Sequence, residues 1–136
     1  MYVLTVATLL AQAAIDLATG GPIHLPNIAL FFNNLYPSRT NVLADYTITD
    51  VGGFTNIQAV TFGTPFLNGN QQAEALGGLI TWLTTALTDL PATAYGIVLL
   101  NTDSSAVILA ERFATPVSFN AIGNSFSLIP RLVYDT

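Results

Sequence analysis

The sequence predicts a mainly β protein, a β-sandwich or jelly-roll-like domain with one N-terminal α-helix. Three observations carry this. From residue 28 onward, short runs rich in Val, Ile, Phe and Tyr alternate with clusters of Gly, Pro, Asn and Asp. No helical pattern intervenes between those runs, and only the first 21 residues show a helical period. The expected organisation is a single domain over residues 1–136, with a helix and its cap at 1–21 and a β-rich body at 22–136.

The helix is expected over residues 4–18. Thr5, Thr8, Gln12, Asp16 and Thr19 are spaced 3, 4, 4 and 3 apart and make one narrow polar stripe, while Leu9, Leu10, Ala13, Ala14, Ile15 and Leu17 fill the rest. Gly20-Gly21-Pro22 then supplies a C-terminal cap and a stop. Ala11-Gln12-Ala13 has the small-residue form of a signal cleavage site, but no Lys or Arg precedes the apolar part, so the segment reads as a helix.

Strands are expected at residues 28–33, 42–49, 54–62, 79–85, 95–100, 106–113, 117–121 and 125–134, with a turn at Asn68-Gly69-Asn70 and a breaker at Asp50-Val51-Gly52-Gly53. Residues 101–105, NTDSS, separate two β-rich runs and read as a hairpin loop. On its second arm, VILAERF at 107–113, strand alternation puts Val107, Leu109, Glu111 and Phe113 on one face and Ile108, Ala110 and Arg112 on the other. Both faces are mainly apolar. One is therefore expected in the core, and the other under the N-terminal helix or a neighbouring subunit.

Charge is scarce. Three arginines, no lysine and eight acidic residues make 8% of the chain, against 51% hydrophobic residues and a mean hydropathy of +0.57. Roughly 6,800 Å² of folded surface then carries about one charge per 600 Å², so much of the surface is apolar or neutral and suited to a large interface. No apolar stretch reaches the ~20 residues of a membrane-spanning helix. A net charge of −5 argues against a phosphate backbone as partner. With no cysteine there is no disulfide framework.

Candidate chemistry is thin. His24 is the one histidine and has no cluster of metal ligands in sequence around it. The acids Asp45, Asp50, Glu74, Asp103 and Glu111 define no converging pair, and turn formation accounts for Asp50 and Asp103. Gly20-Gly21, Gly52-Gly53 and Gly77-Gly78 match no phosphate-binding fingerprint. Trp82, Tyr95, Phe113, Phe119, Phe126 and Tyr134 lie in expected strands, which favours packing over a sugar-binding surface. No enzymatic activity, metal or cofactor is expected. The remaining candidates are interface residues: Glu111, Arg112 and Arg131, with either arginine pairing a carboxylate across a subunit contact. Pro130 places the strand of Arg131 at a sheet edge.

The order of these segments, IALFFNNLYP at 28–37, VLADYTITDVGGF at 42–54 and ATAYGIVLLNTDSSAVILAERF at 92–113, resembles small β-rich virion structural proteins of tailed bacteriophages. The resemblance implies a capsid cement or decoration protein, made in the host cytoplasm and placed on the outer capsid surface of the virion. Its implied partners are itself, as a homotrimer before a dimer, and the major capsid protein, with neither nucleic acid nor membrane. A head-fibre base, a tail protein and a receptor- or carbohydrate-binding β-sandwich are the alternatives.

Overall fold

The computed structural model describes residues 2–5, 26–63, 66–101 and 103–134. Strands dominate them: β1 (Tyr2–Thr5), β2 (Asn27–Phe31), β3 (Gln58–Ala59), β4 (Phe66–Leu67), β5 (Ala73–Leu76), β6 (Ile80–Leu83), β7 (Ala92–Leu100), β8 (Val107–Phe119), β9 (Ser125–Leu128) and β10 (Pro130–Tyr134). They form a sheet of order β1-β10-β5-β4, a second of order β3-β2-β7-β8, and the ribbon β6-β9. All pairings are antiparallel except β1 with β10.

The second sheet is the organising element because it is buried on both faces. Ile28, Leu30, Ile97, Leu99, Leu109 and Phe113 enter a core shared with Ala75 and Leu132 of the first sheet and with Ile80, Trp82 and Leu128 of the ribbon. Ala29, Phe31, Val98 and Leu100 point the other way, against Tyr46, Leu35, Leu43 and Ile48. Such two-sided burial explains why IALF and GIVLL are continuous apolar runs rather than alternating ones. Gly96 is required where the strands close, since a Cβ there would overlap the Glu111 carbonyl oxygen and the Phe31 ring.

The second face of this sheet is thus covered by the chain's own residues 33–48, where a helix or a neighbouring subunit was expected. That segment corrects a second expectation, a strand at 42–49. Its one regular piece is a 3-10 turn, Leu43–Asp45. Side chains satisfy the backbone in place of a ladder. Asp45 Oδ2 accepts from the Val42 amide at 2.8 Å, the Asn33 side chain donates to the Asp45 carbonyl at 2.8 Å, and the Thr47 amide donates to Asn33 Oδ1 at 2.8 Å.

The outer edge of β2 is sealed residue by residue. β3 pairs with Asn27 and Ile28, and the Phe32 amide donates to the Thr47 carbonyl at 2.9 Å. Between them Asn56, almost wholly buried, acts as a strand residue would: Oδ1 accepts from the Leu30 amide and Nδ2 donates to the Leu30 carbonyl, both at 2.8 Å. Because this asparagine completes the edge, the strand expected over 54–62 shrinks to the two residues of β3 and an isolated bridge at Phe62.

Other boundaries shift for identifiable reasons. The helix expected over 4–18 is not seen at its start, because Leu4 and Thr5 belong to β1 and complete an edge of β10. The rest of that helix, its cap and His24 lie outside the described residues. The expected strand 125–134 is two strands in different sheets, divided at Ile129. Nor is β10 an edge strand, since β1 and β5 flank it. Pro130 is its first residue, the position where a missing amide hydrogen is tolerated.

The hairpin loop is where the sequence places it, and Asn101 Oδ1 closes it by accepting from the Ser105 and Ala106 amides at 2.8 and 3.0 Å. β8 then runs through the expected break at 114–116. Its pairing with β7 jumps from Gly96↔Arg112 to Ala94↔Val117, so the strand bulges there: Phe113 stays in the core while residues 114–116 turn to solvent and accommodate Pro116. A second irregularity at Leu100↔Val107 puts Val107 with the Tyr46 cluster and Ile108 with the main core, the reverse of simple alternation.

Candidate functional site

Glu111 and Arg112 do project to opposite sides of β8, and the two sides differ in kind. Arg112 reaches residues 34–36, the start of the covering segment. Its Nη1–H donates to the Leu35 carbonyl at 2.9 Å and its Nη2–H to Asn34 Oδ1 at 2.6 Å. The guanidinium carbon lies 4.0 Å from the Tyr36 ring centroid and 5.2 Å from that of Tyr95, both within cation–π range. Among the described residues no carboxylate pairs with it. Arg112 is held by two hydrogen bonds and two rings, and Tyr36, 74% exposed, projects beside it into solvent.

Glu111 lies on the core side, between Leu109 and Phe113 and opposite Ile97. Its Oε2 is buried and has no hydrogen-bond partner. Desolvation raises its pKa from 4.5 to about 7.

Arg131 is paired within its own chain. Its Nε and Nη2 both donate to the carboxylate of Glu74, the latter at 2.9 Å, and Asn68 Nδ2 adds a bond to Glu74 Oε2 at 3.0 Å. The Arg131 guanidinium holds the Glu74 carboxyl below its ordinary value against an opposing desolvation, with Asn68 assisting. Arg131 therefore serves the β5–β10 pairing, and the structure does not bring it together with Glu111 and Arg112.

The candidate surface is accordingly centred on Tyr36 and Arg112. Sequence reasoning placed Arg112 on a strand and missed Tyr36, Asn34 and the Leu35 carbonyl. The available signal was a tyrosine followed by Pro37, in a loop that already carries Arg39. Trp82, Phe113 and Phe119 are buried, and Phe126 packs against Trp82 and Phe113 with centroids 5.9 and 5.1 Å apart, so these aromatics hold the core.

Elsewhere the described surface is charge-poor, with Arg39, Asp45, Asp50, Asp89 and Asp103 exposed on it. Leu67, Leu79, Leu87, Val42 and Ile122 are among its exposed large side chains. Leu83 ends β6, and Leu87 and Ile122 belong to the turns that follow β6 and β8, tied together by backbone bonds: the Thr84 amide donates to the Asn124 carbonyl, the Thr84 carbonyl accepts from the Gly123 amide, and the Gly52 carbonyl accepts from the Thr85 and Ala86 amides. Gly52 and Gly53 have φ of +57° and +79°, which glycine alone adopts freely, and a Cβ on Gly52 would meet Thr84 Cγ2 at 2.8 Å.

Among the described residues, no group of three His, Cys, Asp or Glu residues is placed to hold a metal. None of their helices is long and apolar enough to cross a membrane. Comparison with protein-family models, with curated proteins and with solved structures returned no match.

Proposed function

We propose that this chain is a structural virion protein, a capsid cement or decoration protein that homo-oligomerises and bridges major capsid subunits on the outside of a phage head. The observation that carries this reading is the charge-poor surface, on which Leu67, Leu79, Leu87 and Ile122 are exposed and the Tyr36–Arg112 pair is a pre-set polar anchor. Tyrosine and arginine are the residue types that dominate binding energy at interfaces. Here Arg112 is held by two hydrogen bonds and lies against the Tyr36 ring before any partner arrives, which lowers the ordering cost of association. Two four-stranded sheets and a ribbon contributing to one core support a β-sandwich as the architecture.

The sequence resemblance supplies the capsid as partner, and an oligomer gains avidity there by engaging several subunits at once. The test strips the protein from particles, or omits it during assembly, and compares the temperature of genome leakage with and without added protein. A higher leakage temperature in its presence is expected. Equal temperatures, or protein found only at the tail, overturn the reading. A carbohydrate- or receptor-binding role is the second reading, favoured by the exposed Tyr36 ring beside Asn34 and Arg112. It predicts glycan binding that Tyr36→Ala abolishes.

A further inference from the structure

The regular pairing of β7 with β8 is short and bounded. Gly96↔Arg112, Ile97↔Glu111, Val98↔Ala110 and Leu99↔Leu109 lie in register, with irregularities at both ends. Among the described residues β8 is the last strand of its sheet, so the ladder with β7 is the one that holds this segment there. Within it sits Glu111, whose Oε2 is buried without a donor on a face otherwise made of Leu109, Phe113, Ile97 and Leu99.

The elements around that face offer no compensating charge among the described residues. β2, β6 and β9 contain no titratable side chain. Tyr95 of β7 and Arg112 of β8 are on the opposite side of the sheet. Asp50, in the loop before Val51 and Phe54, accepts from the Asn56 amide at 2.8 Å, and Glu74 and Arg131 of β5 and β10 satisfy each other. On β1, which also approaches β8, the titratable residue is Tyr2.

We propose that Glu111 is a proton-operated latch on the β7–β8 pair: its neutral carboxyl keeps the four-residue register closed on the core, and loss of the proton loosens that segment between its two irregularities. An ionised carboxylate with a buried, unpartnered oxygen is strongly disfavoured, so ionisation favours movement of the strand that carries it into water. The raised pKa of Glu111, about 7 and caused by burial alone, places the transition near neutrality. Arg112, the next residue, transmits the loosening to residues 34–36 and thus to the exposed Tyr36. The latch does not depend on what that surface binds.

The test follows, in the full chain, the Glu111 side-chain carboxyl by carbon NMR and the exchange of the amide hydrogens of residues 96–99 and 109–112. Between about pH 5.5 and about pH 8, after correction for intrinsic exchange, protection of these amides is expected to fall by on the order of tenfold. The midpoint should match the Glu111 titration, and in Glu111→Gln the fall should be absent. Protection independent of pH, an undiminished fall in Glu111→Gln, or a carboxyl that titrates near its ordinary value of 4.5 overturns the proposal. Should Glu111→Gln fail to fold, the wild-type midpoints decide alone. Coincidence supports the latch, and separation by more than about one unit refutes it.

Discussion

Asn56 is the most exposing test of how this fold is held together. Its side chain accepts from the Leu30 amide and donates to the Leu30 carbonyl, both at 2.8 Å, with Leu30 fully buried. Asn56→Ala removes both partners at once. A buried polar group left unsatisfied costs about 1–3 kcal/mol, so two such groups with modest relaxation give a loss of about 3–5 kcal/mol. That is a large fraction of the ~5–15 kcal/mol by which most domains are stable. The Trp82 indole bond is to the Asn56 main-chain carbonyl, at 2.9 Å, so the substitution leaves it a partner.

Asn56→Asp retains the acceptor for the Leu30 amide but sets an oxygen against the Leu30 carbonyl. It should be worse than alanine at neutral pH and should recover partly on acidification, when the protonated acid can donate. Urea denaturation of the three proteins, with the slope checked for constancy, measures the difference. A loss below about 1 kcal/mol in Asn56→Ala would mean that water or a shifted strand satisfies Leu30, and the side-chain account of this sheet edge would be wrong.

Four further outcomes are expected. Glu111 binds its proton more tightly in the folded state, so its contribution is full below pH 4.5 and is lost as pH rises to about 7. The loss is about 1–3 kcal/mol after allowance for partial exposure, and melts of Glu111→Gln across that range should lack it. Glu74 has the opposite sign: its lowered pKa gives stability that disappears as pH falls through the folded value, so acid melts of Glu74→Gln should lose that limb. Arg112→Ala should lower stability by ~1–3 kcal/mol through its two hydrogen bonds and two ring contacts, whereas Arg39→Ala, at an exposed position, should change it by less than about 0.5 kcal/mol. Finally, light scattering of the isolated chain should return an oligomer rather than 14.4 kDa, and a folded soluble monomer at micromolar concentration would contradict the interface reading.

Much of the second sheet was legible beforehand because its signals are local. The IALF and GIVLL runs, the NTDSS loop and the apolar character of both sides of VILAERF each depend on residues near in sequence. The candidate site was only half legible. Strand alternation correctly separated Glu111 from Arg112, while the surroundings of Arg112 were set by residues 77 and 78 positions away, Leu35 and Asn34. The register change beside Val107 was equally hidden, since a bulge inverts alternation without any residue that announces it.

The sequence by itself determined a charge-poor, strand-forming chain with Glu111 and Arg112 on opposite faces of one strand, because composition and side-chain period are properties of the linear order. Only the tertiary structure decided that residues 33–48 cover the second sheet, that Asn56 stands in for a missing strand, and that β10 is interior rather than at an edge. The reason is physical. A backbone donor or an apolar face must be satisfied, but nothing in its own neighbourhood specifies which distant segment satisfies it, and that choice is made when the whole chain packs.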